Sequence, residues 1–120
     1  MKTRITDMLS IKRELERLSE YLQSEQVIGE TLFHSKLVFS ELVGNILRHS
    51  KAYAEVESKV DGDFVHLYIR SSDGYMPPKC SVCSDVYAEN GRGLFLVDTV
   101  SYSREEFAGG IKVLIKIEKE

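Results

Sequence analysis

Apolar residues recur at helical spacing along the first half of the chain. From Ser10 to Gln23, Ile11, Leu15, Leu18 and Leu22 follow at intervals of four, three and four residues, which predicts an amphipathic helix with Ser10 available as its N-cap. A longer helix should begin at Gly29 or Glu30 and run to about Ser50, because Leu32, Phe39, Leu42, Val43, Ile46 and Leu47 share one broad face at about 100° per residue. The period then changes. Ala54 to Val60 alternates, Asp61-Gly62 is a dipeptide favoured in type I′ turns, and Phe64 to Arg70 alternates again with Val65, Leu67 and Ile69 on one face, so an antiparallel hairpin is expected. An irregular stretch from Ser71 to Asn90, containing Pro77-Pro78, predicts one long loop. Beyond it, Gly93 to Val100 reads as a helix, Ser101 to Phe107 as a short strand, Gly109-Gly110 as a turn and Ile111 to Glu118 as the last strand. The order helix, helix, strand, strand, helix, strand, strand fits an α+β chain with one mainly antiparallel sheet and its helices on one face.

At 120 residues and 42% hydrophobic content, a single domain over residues 1–120 is expected. A formal net charge of −3 gives no general pull toward polyanions and argues against nucleic acid as a partner. No apolar run reaches the roughly 18 residues needed to span a bilayer, and the amphipathic start lacks a leader's apolar segment, so a soluble cytoplasmic protein with no membrane partner is expected. Cys80 and Cys83, spaced C-x-x-C within the loop, read as free thiols in a reducing compartment. They lack a second cysteine pair for zinc, and His34, His49 and His66 are scattered, which leaves a thiol-linked sensor as the chemistry this pair could carry.

Three short constellations carry candidate chemistry. Glu41, Asn45 and His49 lie at i, i+4 and i+8 on the second helix and span about 80° of arc on the side opposite Leu42, Val43 and Ile46. This stripe is either a solvated surface or a place where the Asn45 amide oxygen holds a divalent cation, while Glu41 orients or deprotonates a nucleophile. Gly91-Arg92-Gly93-Leu94 opens a predicted helix, where closely spaced glycines either merely let the helix start or leave backbone N–H groups free for phosphate, with Arg92 adding charge. Asp73-Gly74 follows directly on a strand and reads first as a turn.

Taken in order, these segments resemble the GHKL ATPases, the superfamily of DNA gyrase B and the sensor histidine kinases. Ser40 to His49 is similar to the N box in its E-x-x-x-N-x-x-x-H form. Gly91 to Val100 is similar to the G2 box, and Gly109-Gly110-Ile111-Lys112-Val113 falls where members carry a G-T segment. The match covers about Thr31 to Glu118. The short chain and the GRGLFLV wording are most similar to the anti-sigma-factor serine kinases; nothing here resembles the phosphoacceptor hairpin of a sensor histidine kinase.

The resemblance implies a two-layer α/β sandwich of the Bergerat ATP-binding type with a mixed, mainly antiparallel sheet. It also implies ATP and Mg²⁺ as cofactors, a serine of an anti-anti-sigma (STAS-type) protein as phosphoacceptor, a sigma factor as a further partner, a homodimer, and a role in transcription regulation. Asn45 would bind Mg²⁺, Glu41 would act as general base, and Asp73, Gly74, Gly91, Arg92, Gly93 and Leu94 would contact the nucleotide. The D-x-G-x-G of the family's G1 box is altered: aligned on Met76 and Pro78, it puts Ser71 where the adenine-binding aspartate belongs, and Ile111 replaces the threonine of the G-T segment. Intact Glu41, Asn45 and Gly91 to Leu94 favour an active kinase; the two departures favour a nucleotide-poor interaction module.

Overall fold

The computed structural model describes residues 1–49, 52–74, 89–107 and 109–117. The order is β1 (Lys2–Ile5), α1 (Ser10–Ser24), α2 (Gly29–His49), β2 (Ala54–Asp61), β3 (Phe64–Ser71), α3 (Glu89–Val100), β4 (Ser103–Phe107) and β5 (Gly110–Lys116). The five strands form one sheet in the order β1-β2-β3-β5-β4. Every pairing is antiparallel, where the family resemblance implied a mixed sheet. The architecture is therefore α+β with three helices among the described residues.

Alternation assigns the two sheet faces. Ile5, Ala54, Val56, Val65, Leu67, Ile69, Ile111, Val113 and Ile115 point inward and are buried with Leu18 and Leu22 of α1, Phe39, Leu42 and Val43 of α2 and Val97 of α3. The other face carries a row of rings. Phe64 meets Tyr102 at 4.8 Å between centroids, His66 stacks on Tyr68 at 6.4 Å, and Tyr68 meets Phe107 edge-on at 6.1 Å.

β1 was not among the expected strands. Its four residues alternate two cations, Lys2 and Arg4, with Thr3 and Ile5, too short and too charged for a strand signal, and it survives by pairing along β2. The link to α1 is polar: Thr3 Oγ1 donates to the buried Glu14 carboxylate at 2.6 Å, and Arg17 donates to the same oxygen at 2.9 Å. Ser10 does not cap α1. It is the first helical residue, and the Asp7 carboxylate accepts its N–H at 2.8 Å and its hydroxyl at 2.9 Å, which holds the Asp7 pKa below the ordinary value.

The β2–β3 turn also differs in type. Asp61 pairs with Phe64, so the two loop residues are Gly62 and Asp63, and among the described residues of the turn only Gly62 has positive φ (64°). A glycine at the first loop position matches a type II′ turn, which serves the strand twist as well as the expected I′. α1 ends in a Schellman motif, with Val27 N–H on Leu22 O at 2.9 Å and Gln26 N–H on Gln23 O at 3.0 Å. Gln26 occupies its left-handed position at φ 68°. Because a side chain there works against the backbone, Gln26→Gly should raise stability by about 0.5–1 kcal/mol. Chemical unfolding would show it; a destabilised variant would contradict the assignment.

Candidate functional site

α2 is buried on more than one side. It touches α1, α3 and the inner face of β2, β3 and β5, and Leu42 to Ile46 form an unbroken buried run. That surround overturns the expected stripe: Asn45 is only 3% exposed, on the same strip as Thr31, Val38 and Leu42, and does not face solvent. An amphipathic reading allots a helix one buried face, and a helix flanked on both sides has nearly none exposed. Asn45 Oδ1 accepts a hydrogen bond from Arg48 Nη2 at 2.7 Å. Glu41, one turn before Asn45, is half-buried. The backbone of His49 ends the helix.

β3 ends beside this helix terminus. Ser71 pairs with Ala54, and only residues 50–53 join α2 to that strand, a reach of about 17 Å at most from His49 to Ala54. Ser71 is buried and faces inward; its Oγ donates to Asp73 Oδ1 at 2.5 Å. Gly74 donates its N–H to Ser71 O at 3.2 Å, with φ 77°, so Ser71 to Gly74 make a turn that presents the Asp73 carboxylate against the Ser71 hydroxyl. Ile111 is opposite Ile69 and thus a diagonal neighbour of Ser71 on the inner face, so the two positions that depart from the family's pattern share one locality.

α3 completes the cluster. Its last residues, Thr99 and Val100, line a pocket of about 880 Å³ together with His34 near the start of α2, so α3 runs antiparallel to α2. Twelve residues at a rise of about 1.5 Å carry the first turn of α3 back to the level of Asn45, eleven positions along α2 from His34. The helix begins at Glu89, earlier than expected, so the backbones of Gly91, Arg92, Gly93 and Leu94 are already helical. The Gly91 N–H still belongs to the unpaired first turn. Those of Gly93 and Leu94 are directed at carbonyls four residues back, which fits the reading in which the glycines let the helix start. Arg104 holds α3 to β4 through two hydrogen bonds to Asp98, at 2.6 and 3.1 Å.

The structure thus brings Glu41, Asn45, Asp73, Gly74 and the start of α3 to one end of the sheet. Cys80, Cys83 and the Pro77-Pro78 pair lie outside the described residues. Arg48 went unassigned in the sequence, although its position three residues after Asn45 is the spacing at which helical side chains meet. A second pocket, of about 230 Å³, opens on the ring-bearing face between Lys2, Tyr68, Arg70 and Phe107, away from this cluster. Among the described residues no group of three or more His, Cys, Asp or Glu side chains could hold a metal ion, and no helix is long and apolar enough to cross a membrane. The chain matches no protein-family model and no curated protein.

Gly110, in the segment likened to the family's G-T motif, has a structural task. A Cβ there would stand 2.6 Å from Ile69 O and 2.8 Å from the Phe107 ring, which covers the glycine from the opposite strand. Gly110→Ala should therefore cost about 1–3 kcal/mol of stability. Urea unfolding measures this, and a variant as stable as the parent would contradict the packing role.

Proposed function

We propose that the chain is a GHKL-type nucleotide-binding domain of Bergerat architecture, acting as an anti-sigma-type serine kinase on a STAS-type partner. One observation carries the reading: a buried amide oxygen, Asn45 Oδ1, lies in the last turns of α2, the helix that leads into β2 opposite the strand end carrying the Ser71–Asp73 pair. The donor chemistry fits the implied cofactors. A hard amide oxygen beside a half-buried carboxylate suits Mg²⁺ that draws its other ligands from phosphate and water, and Asp73 offers an acceptor of the kind an exocyclic amino group requires.

ATP with Mg²⁺, when bound, supplies a transferable phosphoryl group and neutralises its charge. The chain's own residues do the rest. Asn45 would hold the cation, the N–H groups of the first turn of α3 would contact phosphate, and Glu41 would take the proton from the partner's serine hydroxyl. The homodimer and the sigma-factor contact implied by the resemblance belong to the same proposal.

A second reading, a nucleotide-poor interaction module, is favoured by the adenine region. The Ser71 hydroxyl is already spent on Asp73, and Ile111 offers no hydrogen bond. Calorimetric titration decides between them. The kinase reading expects Mg²⁺-dependent binding of ATP and GTP with similar, weak affinities, since recognition rests on phosphates. Absence of nucleotide binding would leave the module, and strong preference for ATP would mean that Asp73 alone reads adenine. A carboxylate introduced at Ser71 would face that of Asp73, so Ser71→Asp is combined with Asp73→Asn; this pair of changes should raise ATP affinity selectively by roughly tenfold or more. With a phosphoacceptor in hand, Glu41→Gln should slow transfer by roughly 10²-fold with little change in ATP affinity, and full activity would remove Glu41 from the base role.

A further inference from the structure

The Arg48 side chain does not extend into solvent as an exposed terminal arginine would. It folds back along α2 until its guanidinium lies over Gly44, where an added Cβ would be 3.5 Å from Nη1 and 3.7 Å from both Cζ and Nη2. A methyl at position 44 would rest in ordinary contact with that guanidinium. From there Nη2 donates to Asn45 Oδ1 at 2.7 Å, a short, charge-assisted bond to an oxygen that is otherwise withdrawn from water.

We propose that Arg48 is a resident cation at this site, competing with the divalent ion for the Asn45 amide oxygen, so that nucleotide enters only as Arg48 is displaced. The proposal rests on the reading of Asn45 as a cation ligand. An amide oxygen has two lone pairs, but a guanidinium within hydrogen-bond distance of one of them repels a second cation at the other. The two occupants are therefore alternatives. Arg48 is itself exposed, so its stem can swing away without disturbing the core, and the competition lowers apparent affinity by the fraction of molecules in which Asn45 is already engaged.

The test measures affinity for a non-hydrolysable ATP analogue as a function of Mg²⁺ concentration, for the parent protein, Arg48→Ala and Arg48→Gln. Alanine suits an exposed helical position, and glutamine keeps a neutral donor for Asn45 if the alanine variant is poorly folded. Both changes should lower the Mg²⁺ concentration needed for half-maximal binding and raise affinity at limiting Mg²⁺ by roughly tenfold, the difference narrowing as Mg²⁺ saturates. Without Mg²⁺ neither should gain affinity. The side-chain amide resonance of Asn45 should shift on adding Mg²⁺ and analogue at lower concentrations in the variants than in the parent. A parent that binds nothing while Arg48→Ala binds also supports the proposal. An unchanged Mg²⁺ requirement overturns it and leaves the functional reading intact, as does weaker binding by both variants, which would make Arg48 a phosphate ligand. If no variant binds the analogue under any condition, the functional reading falls and the proposal falls with it.

Discussion

Burial of α2 on several sides is the constraint from which the rest follows. Ser35, Val38, Phe39, Leu42, Val43 and Ile46 are all at most 5% exposed, because the helix has α1 and α3 beside it and the sheet beneath. Polar atoms on such a helix must be hydrogen-bonded within the fold. Ser35 meets this need through the Thr31 carbonyl at 2.7 Å, and Asn45 through Arg48. The partner of Asn45 is a side chain hinged at the surface, and that difference marks the end of α2 as a place where one occupant can be exchanged for another.

The sheet fixes what this helix end faces. The antiparallel order brings the end of β3 and the start of β2 together, and α2 leads into β2 at that same end. α3 descends alongside and is held at its far end by Arg104 on Asp98. A fold of this kind needs no long-range design beyond strand register to gather its polar groups. The inward alternation that buries Ile69 also points Ser71 inward, and the turn at Gly74 then returns Asp73 to it.

Much of the fold was legible from periodicity. α1, α2, β2 and β3 fall within a residue or two of their expected bounds, since each has a strong pattern and a glycine or capping signal beside it. β1 was not, because four residues with two charges leave no pattern, and its strand state comes from pairing alone. The early start of α3 escaped because Glu89 to Arg92 carry no apolar residue and include Gly91. At the candidate site the residue types were legible and their environments were not. Spacing placed Glu41 and Asn45 one turn apart, but only the burial of α2 reveals that Asn45 is inside, and only the start of α3 at Glu89 puts the Gly93 N–H past the helix's unpaired first turn. The roles of Ser71 and Asp73 depended on a turn whose hydrogen bonds a linear reading cannot supply.

The most direct measurement of the central claim is an amide-resolved NMR titration of the whole chain with Mg²⁺ and a non-hydrolysable ATP analogue. The account predicts shifts concentrated at the Asn45 side chain, Ser71 to Gly74 and the first turn of α3, with the ring-bearing sheet face around Tyr68 and Phe107 unmoved. Shifts confined to that outer face, or none at millimolar analogue, would contradict it.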